Sequence, residues 1–497
     1  MKRLLVFLLL ILVILSFAAK LTILHINDTH GRAWRFDDPN NQKIGGFAAI
    51  ATIIEQVRKE VESQGGYVIF LHAGDFNTGV PESDLLDAAP DIVAFNLMKL
   101  DALVLGNHEF NKPKQQLARQ MKLANFPFLS ANFVDPEEIV KPEPYIIKEF
   151  PDLKVAIFGL TTEDTLVLQP IHLNGATFLS AVETSKKLVP QLREKADVVI
   201  ALAHLGIVPG RYPDATTSIK LAEEVDGIDV IIDGHSHTKM EEAMVVNSTI
   251  IVQAWEWGKV VGRLDLEIED GKIVSWSWKA IPVTSDVEEH FYVKTVLGYF
   301  KALGSEKLDT VIGETKIVLD GERANVRSKS TNLANLIADA MAWRANADVA
   351  IMNGGGIRAS IKPGKISIRD VLTVLPFRNT LYVFQMKGEG LLKILEYACT
   401  VKPGQGAWPQ VSGLTFKSVG GKLVEAKVKG QPIDPEKTYI VATNNYLALG
   451  GDGYVVFKQL TGYDTGLALD NVVIEYIQNV LNGIIEDYDS SQRYVYE

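Results

Sequence analysis

A chain of 497 residues, 47% apolar and 22% charged, is long enough for two or three domains, each with its own core. Its formal net charge of −11 excludes the broad basic face that long nucleic acid requires, so an anionic ligand would have to be small and held by local arginines or metal ions. The lone cysteine, Cys399, excludes an intramolecular disulfide.

In chain order, the first element predicted is an export signal over residues 1–18. Lys2 and Arg3 precede an apolar run from Leu4 to Phe17 broken only by Ser16, and Ser16-Phe17-Ala18 has the small-x-small form of a cleavage site. The run is short of the ~20 residues a spanning helix needs. A secreted or periplasmic protein with no stable membrane anchor after cleavage is expected.

Residues 19–285 alternate strand-like runs ("KLTILHI", "YVIFLHA", "LDALVLG", "KVAIFGL", "ADVVIALAH", "DVIIDGH") with stretches of helical spacing such as "GGFAAIATIIEQVRKEVES". That alternation predicts βαβ units and an α/β sheet. Residues 286–308 read as a helical connector. Residues 309–497 read as an α+β domain that contains the amphipathic helix "TNLANLIADAMAWRA" and several hairpins.

Five strand-like runs end in metal-ligand residue types: Asp28 and His30, Asp75, Asn107, His204, and His235 with His237. Ligands in open α/β sheets gather outside the carboxyl ends of strands, so these residues are expected on one rim. His25 and His72 lie within strand patterns and are expected to be hydrogen-bonded core histidines. Imidazole, carboxylate and amide oxygen without thiolate suit Zn, Mn, Co or Fe. Seven such ligands are too many for one tetrahedral ion but fit two divalent metal ions about 3.5–4 Å apart, with Asp75 the candidate bridge.

Asp28-x-His30, Gly74-Asp75, Gly106-Asn107-His108-Glu109, His204 and Gly234-His235-Ser236-His237 together resemble the calcineurin-like metallophosphoesterases. The resemblance implies a four-layer β-sandwich flanked by helices. It implies one metal held by Asp28, His30, Asp75 and His237, and a second by Asp75, Asn107, His204 and His235. A hydroxide bridging the two would be the nucleophile, and His108 would face the phosphoryl group. Glu109 is expected to hold the turn.

The C-terminal region narrows the substrate. "NGGGIR" predicts a glycine turn, with Asn353 and Gly355, whose amides approach an anion beside the arginine Arg358. Trp408 and Tyr446 lie in loops, and Asp452 in a "GGDG" turn. With "STNLANLIADAM" and "VLPF", these segments resemble the C-terminal domain of the 5′-nucleotidase and UDP-sugar hydrolase family. That likeness covers nearly the whole mature chain. It implies that Arg358 and Arg32 bind phosphate, Trp408 and Tyr446 sandwich the base, Asp452 contacts the nucleoside, and the connector acts as a hinge. Trp408→Ala should then harm nucleotide hydrolysis selectively.

Several positions depart from the family pattern, among them Trp408 and Tyr446, which stand where the stacking residues are usually Phe. His237 stands where nucleotidases often have Gln or Asn. No arginine precedes the Trp408 loop, which weakens the expectation of binding di- or triphosphates, and Arg378 stands where glycine is common. Asn111 replaces the usual Asp of "GNHEFD", and a neutral amide orients His108 without stabilising its imidazolium as a carboxylate does. The expected function is hydrolysis of nucleoside 5′-monophosphates, with nucleotide sugars or diphosphates as further substrates. The alternatives are a related thiosulfohydrolase of sulfur oxidation and a non-catalytic nucleotide-binding protein. The aromatic pair opposes the first, and the complete ligand set opposes the second.

Overall fold

A computed structural model describes residues 18–37, 42–169, 172–208, 215–377 and 379–497. The expected export signal, apart from Ala18, and Arg378 lie outside these residues.

The first half is built on strands β1 (Ala19–Ile26), β2 (Tyr67–His72), β3 (Ala102–Val104), β4 (Phe128–Leu129), β5 (Tyr145–Phe150), β6 (Leu153–Thr161), β7 (Val198–His204), β8 (Val230–Asp233), β9 (Met244–Val246), β10 (Thr249–Gln253), β11 (Val260–Glu269) and β12 (Lys272–Pro282). They form two six-stranded sheets, ordered β12-β11-β1-β2-β3-β4 and β9-β10-β8-β7-β6-β5. β1 to β4 run parallel, as do β6, β7, β8 and β10. β11 returns antiparallel along β1. Strands covered on both faces read as unbroken apolar runs, and every residue of β7 is buried.

Ile23, Leu71, Val104, Ile157, Ile200 and Ile232 fill the space between the sheets. Helices α1 (Phe47–Ser63), α2 (Ala89–Leu97) and α3 (Lys114–Leu123) cover the first sheet, and α4 (Ala181–Arg193) and α5 (Ser218–Glu224) the second. In α1, Phe47, Ile50, Ile54, Val57 and Val61 repeat at helical spacing and are buried, which is why this segment is a helix and which face it presents. The layers are therefore helix, sheet, sheet, helix, as expected. His25 and His72 are core histidines. The Trp278 indole donates to His25 Nε2 at 3.2 Å, and His72 Nε2 lies 3.0 Å from the Thr29 hydroxyl. Burial pushes both imidazoles down to about 3.

Helix α6 (Phe291–Leu308) buries Val293 and Leu297 against the first-half core, and the Trp34 indole donates to the Leu297 carbonyl at 3.0 Å. Beyond it, α7 (Asn332–Ala345), α8 (Ile368–Val374), α9 (Gly388–Thr400) and α10 (Leu469–Asn479) surround a five-stranded mixed sheet. Its strands are β13 (Val349–Asn353), β14 (Thr380–Lys387), β15 (Pro409–Ser412), β16 (Thr438–Asn444) and β17 (Gly462–Ala468). α7, α8 and α10 cover one face, while α9 and a small four-stranded sheet cover the other. Arg369 on α8 pairs with Glu82 of the first half and, at 2.7 Å, with Asp309.

Asp91, in the first turn of α2, is fully buried, and its carboxyl accepts from the Ser83 hydroxyl. Burial pushes it up to about 8. The folded state therefore keeps a proton that the unfolded state loses near pH 4 (about the free Asp value). The contribution to stability is complete below that value and is lost as pH rises through about 8. Asp91→Asn, neutral at every pH, should remove one proton's slope from the stability profile across that window. Urea midpoints measured at pH values bracketing the window check it, and an unchanged slope counts against a neutral Asp91.

Candidate active site

The seven expected ligands come from the carboxyl ends of parallel strands in both sheets. β1 leads into Asp28 and His30, β2 into Asp75, β3 into Asn107, β7 ends in His204, and β8 leads into His235 and His237. His237 Nε2 lies 3.2 Å from Asp28 Oδ1 and 3.2 Å from His30 Nε2. His204 Nε2 lies 3.2 Å from Asp75 Oδ2 and 3.2 Å from Asn107 Oδ1. His30 Nε2 is 4.0 Å from Asp75 Oδ2, so Asp75 sits between the two groups.

The backbone is forced into this arrangement. Asp28, His30, Asp75, His235 and His237 hold left-handed φ values of 49°, 48°, 58°, 76° and 50°. Non-glycine residues adopt this region at a cost, and such strain gathers at functional sites. Glu109 holds the turn as expected, accepting from the amides of Gly106 (2.6 Å), Asp75 (2.9 Å), Phe76 (3.1 Å) and Asn77 (3.2 Å). It thereby ties the loop after β2 to the loop after β3.

Whether these residues suit metal ions is tested by where their other atoms point. His30 Nδ1 is 3.2 and 3.1 Å from the Asn77 and Thr78 carbonyls, His204 Nδ1 is 2.7 Å from the Ala73 carbonyl, and His237 Nδ1 is 2.6 Å from Glu256 Oε2. Each Nδ1 must donate outward, which leaves an Nε2 lone pair facing inward. Two such lone pairs, on His30 and His237, face each other across 3.2 Å, an arrangement that calls for a cation between them. Burial opposes positive charge at His204, yet the Asp75 carboxylate 3.2 Å from its Nε2 favours it, again the mark of a place built for a cation. The donor set fits divalent metal ions.

His108 lies beside this cluster, with Nε2 3.9 Å from Asp75 Oδ2 and its amide donating to Asp75 Oδ1 at 2.7 Å. Its Nδ1 is 2.5 Å from Asn111 Oδ1, and Asn111 Nδ2 donates to Gln169 Oε1. Gln169 therefore fixes the Asn111 amide with its oxygen toward the histidine.

A cavity of about 480 Å³ joins the two halves of the molecule. Asp75, Asn107, His108, His235 and His237 line one side of it. Arg358, Arg323 and Arg327 line the other, with Phe377, Asn379, Tyr446 and Asp452 beside them. The Arg358 guanidinium sits 5.4 Å from the centre of the Phe377 ring. Burial, with Arg323 and Arg32 nearby, pushes Arg358 down to about 10, so the cleft disfavours further cation and favours an anion. Asp452 accepts from the Tyr446 hydroxyl at 2.8 Å and from Asn353 Nδ2 at 2.9 Å.

Three expectations need correction. Trp408 does not reach the cleft: it is 1% exposed and packs at 4.8 Å on Tyr494 and 5.7 Å on Tyr496 in the core. Gly404, Gln405 and Gly406 line the cleft from that loop, and the ring that accompanies Tyr446 is Phe377. Arg32 is not a cleft residue either. Its guanidinium lies 4.0 Å from the Trp257 ring and 4.8 Å from Phe36, so it acts on the cleft through its field. The glycine turn is not an open anion nest, since the Gly354 amide donates to the Trp408 carbonyl (2.8 Å) and the Gly355 amide to Gly406 (2.7 Å). A Cβ on Gly354 would meet the Val326 carbonyl at 2.1 Å. That close approach brings the helical turn Arg323–Val326 against the Arg358 loop. The missing phosphate arginine of the Trp408 loop thus has counterparts in Arg323 and Arg327, whose i, i+4 spacing in "GERANVR" was the available signal. For Phe377 that signal was only its place in "VLPF".

Residues 21–239 match the calcineurin-like phosphoesterase family, and residues 311–459 the 5′-nucleotidase C-terminal domain. The chain is 37% identical over 505 residues to Protein UshA of Escherichia coli (strain K12), covering 92% of this chain and 91% of that protein. It is 37% identical over 502 residues to the 5′-nucleotidase of Vibrio cholerae, covering 92% and 90%. The crystal structure of a 5′-nucleotidase precursor from Thermus thermophilus matches with a TM-score of 0.83 at 31% identity, covering 96% of this chain and 99% of that one. The sulfate thiohydrolase SoxB of Thermus thermophilus, at 22% identity and a TM-score of 0.74 over 96% and 97%, shares the fold. The chain belongs to the 5′-nucleotidase family and is a hydrolase of that type.

Proposed function

We propose that the enzyme releases phosphate from nucleoside 5′-monophosphates outside the cytoplasm, following export directed by residues 1–18. The observation that carries this reading is one cavity in which a metal-ligand cluster faces three arginines, two aromatic rings and a carboxylate. Asp28, His30, Asp75 and His237 would hold one divalent ion, and Asp75, Asn107, His204 and His235 a second, drawn from Zn, Mn, Co or Fe. When bound, such ions neutralise phosphoryl charge and lower the pKa of water.

The chain's own groups do the rest. Arg358, with Arg323 and Arg327, grips the phosphate and orients it toward the ligand cluster. His108 presents Nε2 to the cleft, stabilises the charge that develops on the phosphoryl group and exchanges a proton with the leaving oxygen. Asn111, held by Gln169, keeps the His108 ring in place. Phe377 and Tyr446 flank the base, and Asp452, supported by Asn353, accepts hydrogen bonds from the nucleoside. Three arginines can balance more charge than one phosphate carries, so nucleotide sugars and diphosphates fall within the proposed range. The proposed units are 19–285 for the metal ions, 309–497 for the substrate and 286–308 as the hinge between them.

Chelator-stripped enzyme should release no phosphate from AMP, and added divalent metal should restore release. No restoration with any of the four metals would sink this reading. Base stacking is worth about 1–3 kcal/mol, so Phe377→Ala should raise KM for AMP about 5- to 150-fold and leave KM for a small aryl phosphate nearly unchanged, while kcat falls alike on both because the ring also packs on His108 and Arg358. Trp408→Ala should instead lower stability. An equal rise in KM for both substrates in the Phe377 variant would remove the base sandwich.

A further inference from the structure

Glu256 lies outside the ligand set, yet it treats one ligand differently from the rest. Its Oε2 accepts from His237 Nδ1 at 2.6 Å, and its Oε1 accepts from Lys259 Nζ at 2.6 Å. The other inward-facing imidazoles of His30 and His204 donate to neutral backbone carbonyls. The His235 imidazole has Nε2 3.7 Å from Asp164 Oδ2, which is beyond hydrogen-bond reach.

The segment carrying Glu256 is firmly built in. Trp255 and Trp257, on either side, hold left-handed φ values of 55° and 60°. The Trp257 amide donates to the Asp28 carbonyl at 2.8 Å, and Asn27 Nδ2 donates to the Trp255 carbonyl at 2.6 Å. The segment is thus pinned to the loop that carries Asp28. The two indoles clamp the Lys259 ammonium at 4.2 and 4.3 Å, so the counter-charge on Glu256 is fixed in position.

We propose that Glu256 widens the inequality of the two metal positions: the ion held by Asp28, His30, Asp75 and His237 binds first and more tightly, and the Glu256–Lys259 pair adds to the gap. This rests on the two-metal reading of the site. The physical reason is charge. That position has two direct carboxylates and a third behind an imidazole, where it raises the basicity of the ligand nitrogen. The other has one carboxylate, shared, with an amide and two imidazoles. Lys259 tempers the effect by neutralising part of Glu256. Glu256 is a positioning residue that acts through His237.

The test is a Zn²⁺ titration of chelator-stripped, full-length enzyme by calorimetry, with chelator competition for the tight step. Wild type should show two resolved steps. Glu256→Gln, which keeps an acceptor for His237, should weaken the tight step about ten- to hundredfold and leave the weak step in place. Lys259→Met should move the tight step the opposite way, to higher affinity, whereas loss of a merely structural contact would weaken binding in both variants. Two ions bound with equal affinity, or both steps shifting together in Glu256→Gln, would overturn the inference and leave the two-metal reading standing. A wild-type enzyme that binds no Zn²⁺ would overturn both.

Discussion

His108→Ala should lower kcat for phosphate release from AMP by about 10²- to 10⁴-fold, the range expected of a positioned proton-transfer group, while metal content stays at the wild-type level. Metal content separates the two roles open to this histidine. His108 shares a cluster with His30 and Asp75 whose candidate donor atoms all lie within 4.8 Å of one another, so geometry alone would also allow it as a ligand. Its ring contact argues otherwise, because the imidazole packs on Phe377 at the substrate side. Nδ1 meets the Asn111 amide oxygen, whose orientation Gln169 sets, and the ring stacks on Phe377 with centroids 5.9 Å apart. The histidine is therefore held from the substrate side as well as the metal side. Burial pushes its imidazole down to about 4, with Asp75 opposing and Arg358 adding to the fall. The neutral ring, with its Nδ1–H on Asn111, must take up a proton at Nε2 before it can stabilise phosphoryl charge or protonate the leaving oxygen. Metal analysis by mass spectrometry decides: if the alanine variant loses an ion along with its activity, His108 is a ligand and the role assigned to it is wrong.

Much of this site was legible because its chemistry requires particular residues at particular strand ends. Apolar runs that stop at Asp-x-His, Gly-Asp, Gly-Asn-His and Gly-His-x-His state both where a strand finishes and what it delivers, and β1, β2, β3, β7 and β8 deliver those residues to one rim. The substrate side was less legible because a loop sequence does not say which way a side chain turns. Trp408 and Tyr446 look alike as aromatics in glycine-rich loops. One is drawn into the core by Tyr494 and Tyr496, while the other is held at the cleft by Asp452. Arg323 and Arg327 reach the cleft only because the glycine turn lies close enough to Val326 to exclude a Cβ, a contact between segments about thirty residues apart in the chain. Glu256 was invisible for the same reason, since its role comes from pairing with His237 across a turn. Residue type predicted which side chains gather at the rim, and tertiary packing decided the groups behind them.

The glycines of the ligand motifs give the sharpest test of how tightly that packing is set. Gly106→Ala should abolish most activity and lower metal content, although the glycine touches no substrate and supplies no ligand atom. A Cβ there would stand 2.3 Å from Asp75 Oδ1 and 2.6 Å from the Asp75 amide, distances that cannot persist. Either Asp75 turns away or the loop after β3 moves back. Both routes misplace the one carboxylate that stands between the two ligand groups, and both strain the Glu109 clasp, whose shortest bond is to the Gly106 amide itself. Misplacement of about 1 Å at a reacting centre is enough for roughly 10²-fold in rate, and overpacking costs about 1–3 kcal/mol of stability. Gly298→Ala is the matched control. Gly298 lies in the exposed face of α6 with nothing within 4 Å of its Cβ position, so alanine there should add about 0.5–1 kcal/mol through helix propensity and leave turnover alone. The pair separates a local steric demand from a general effect of losing glycine. A Gly106 variant with full metal content and wild-type turnover would mean that the Asp75 carboxylate has slack that its contacts do not suggest.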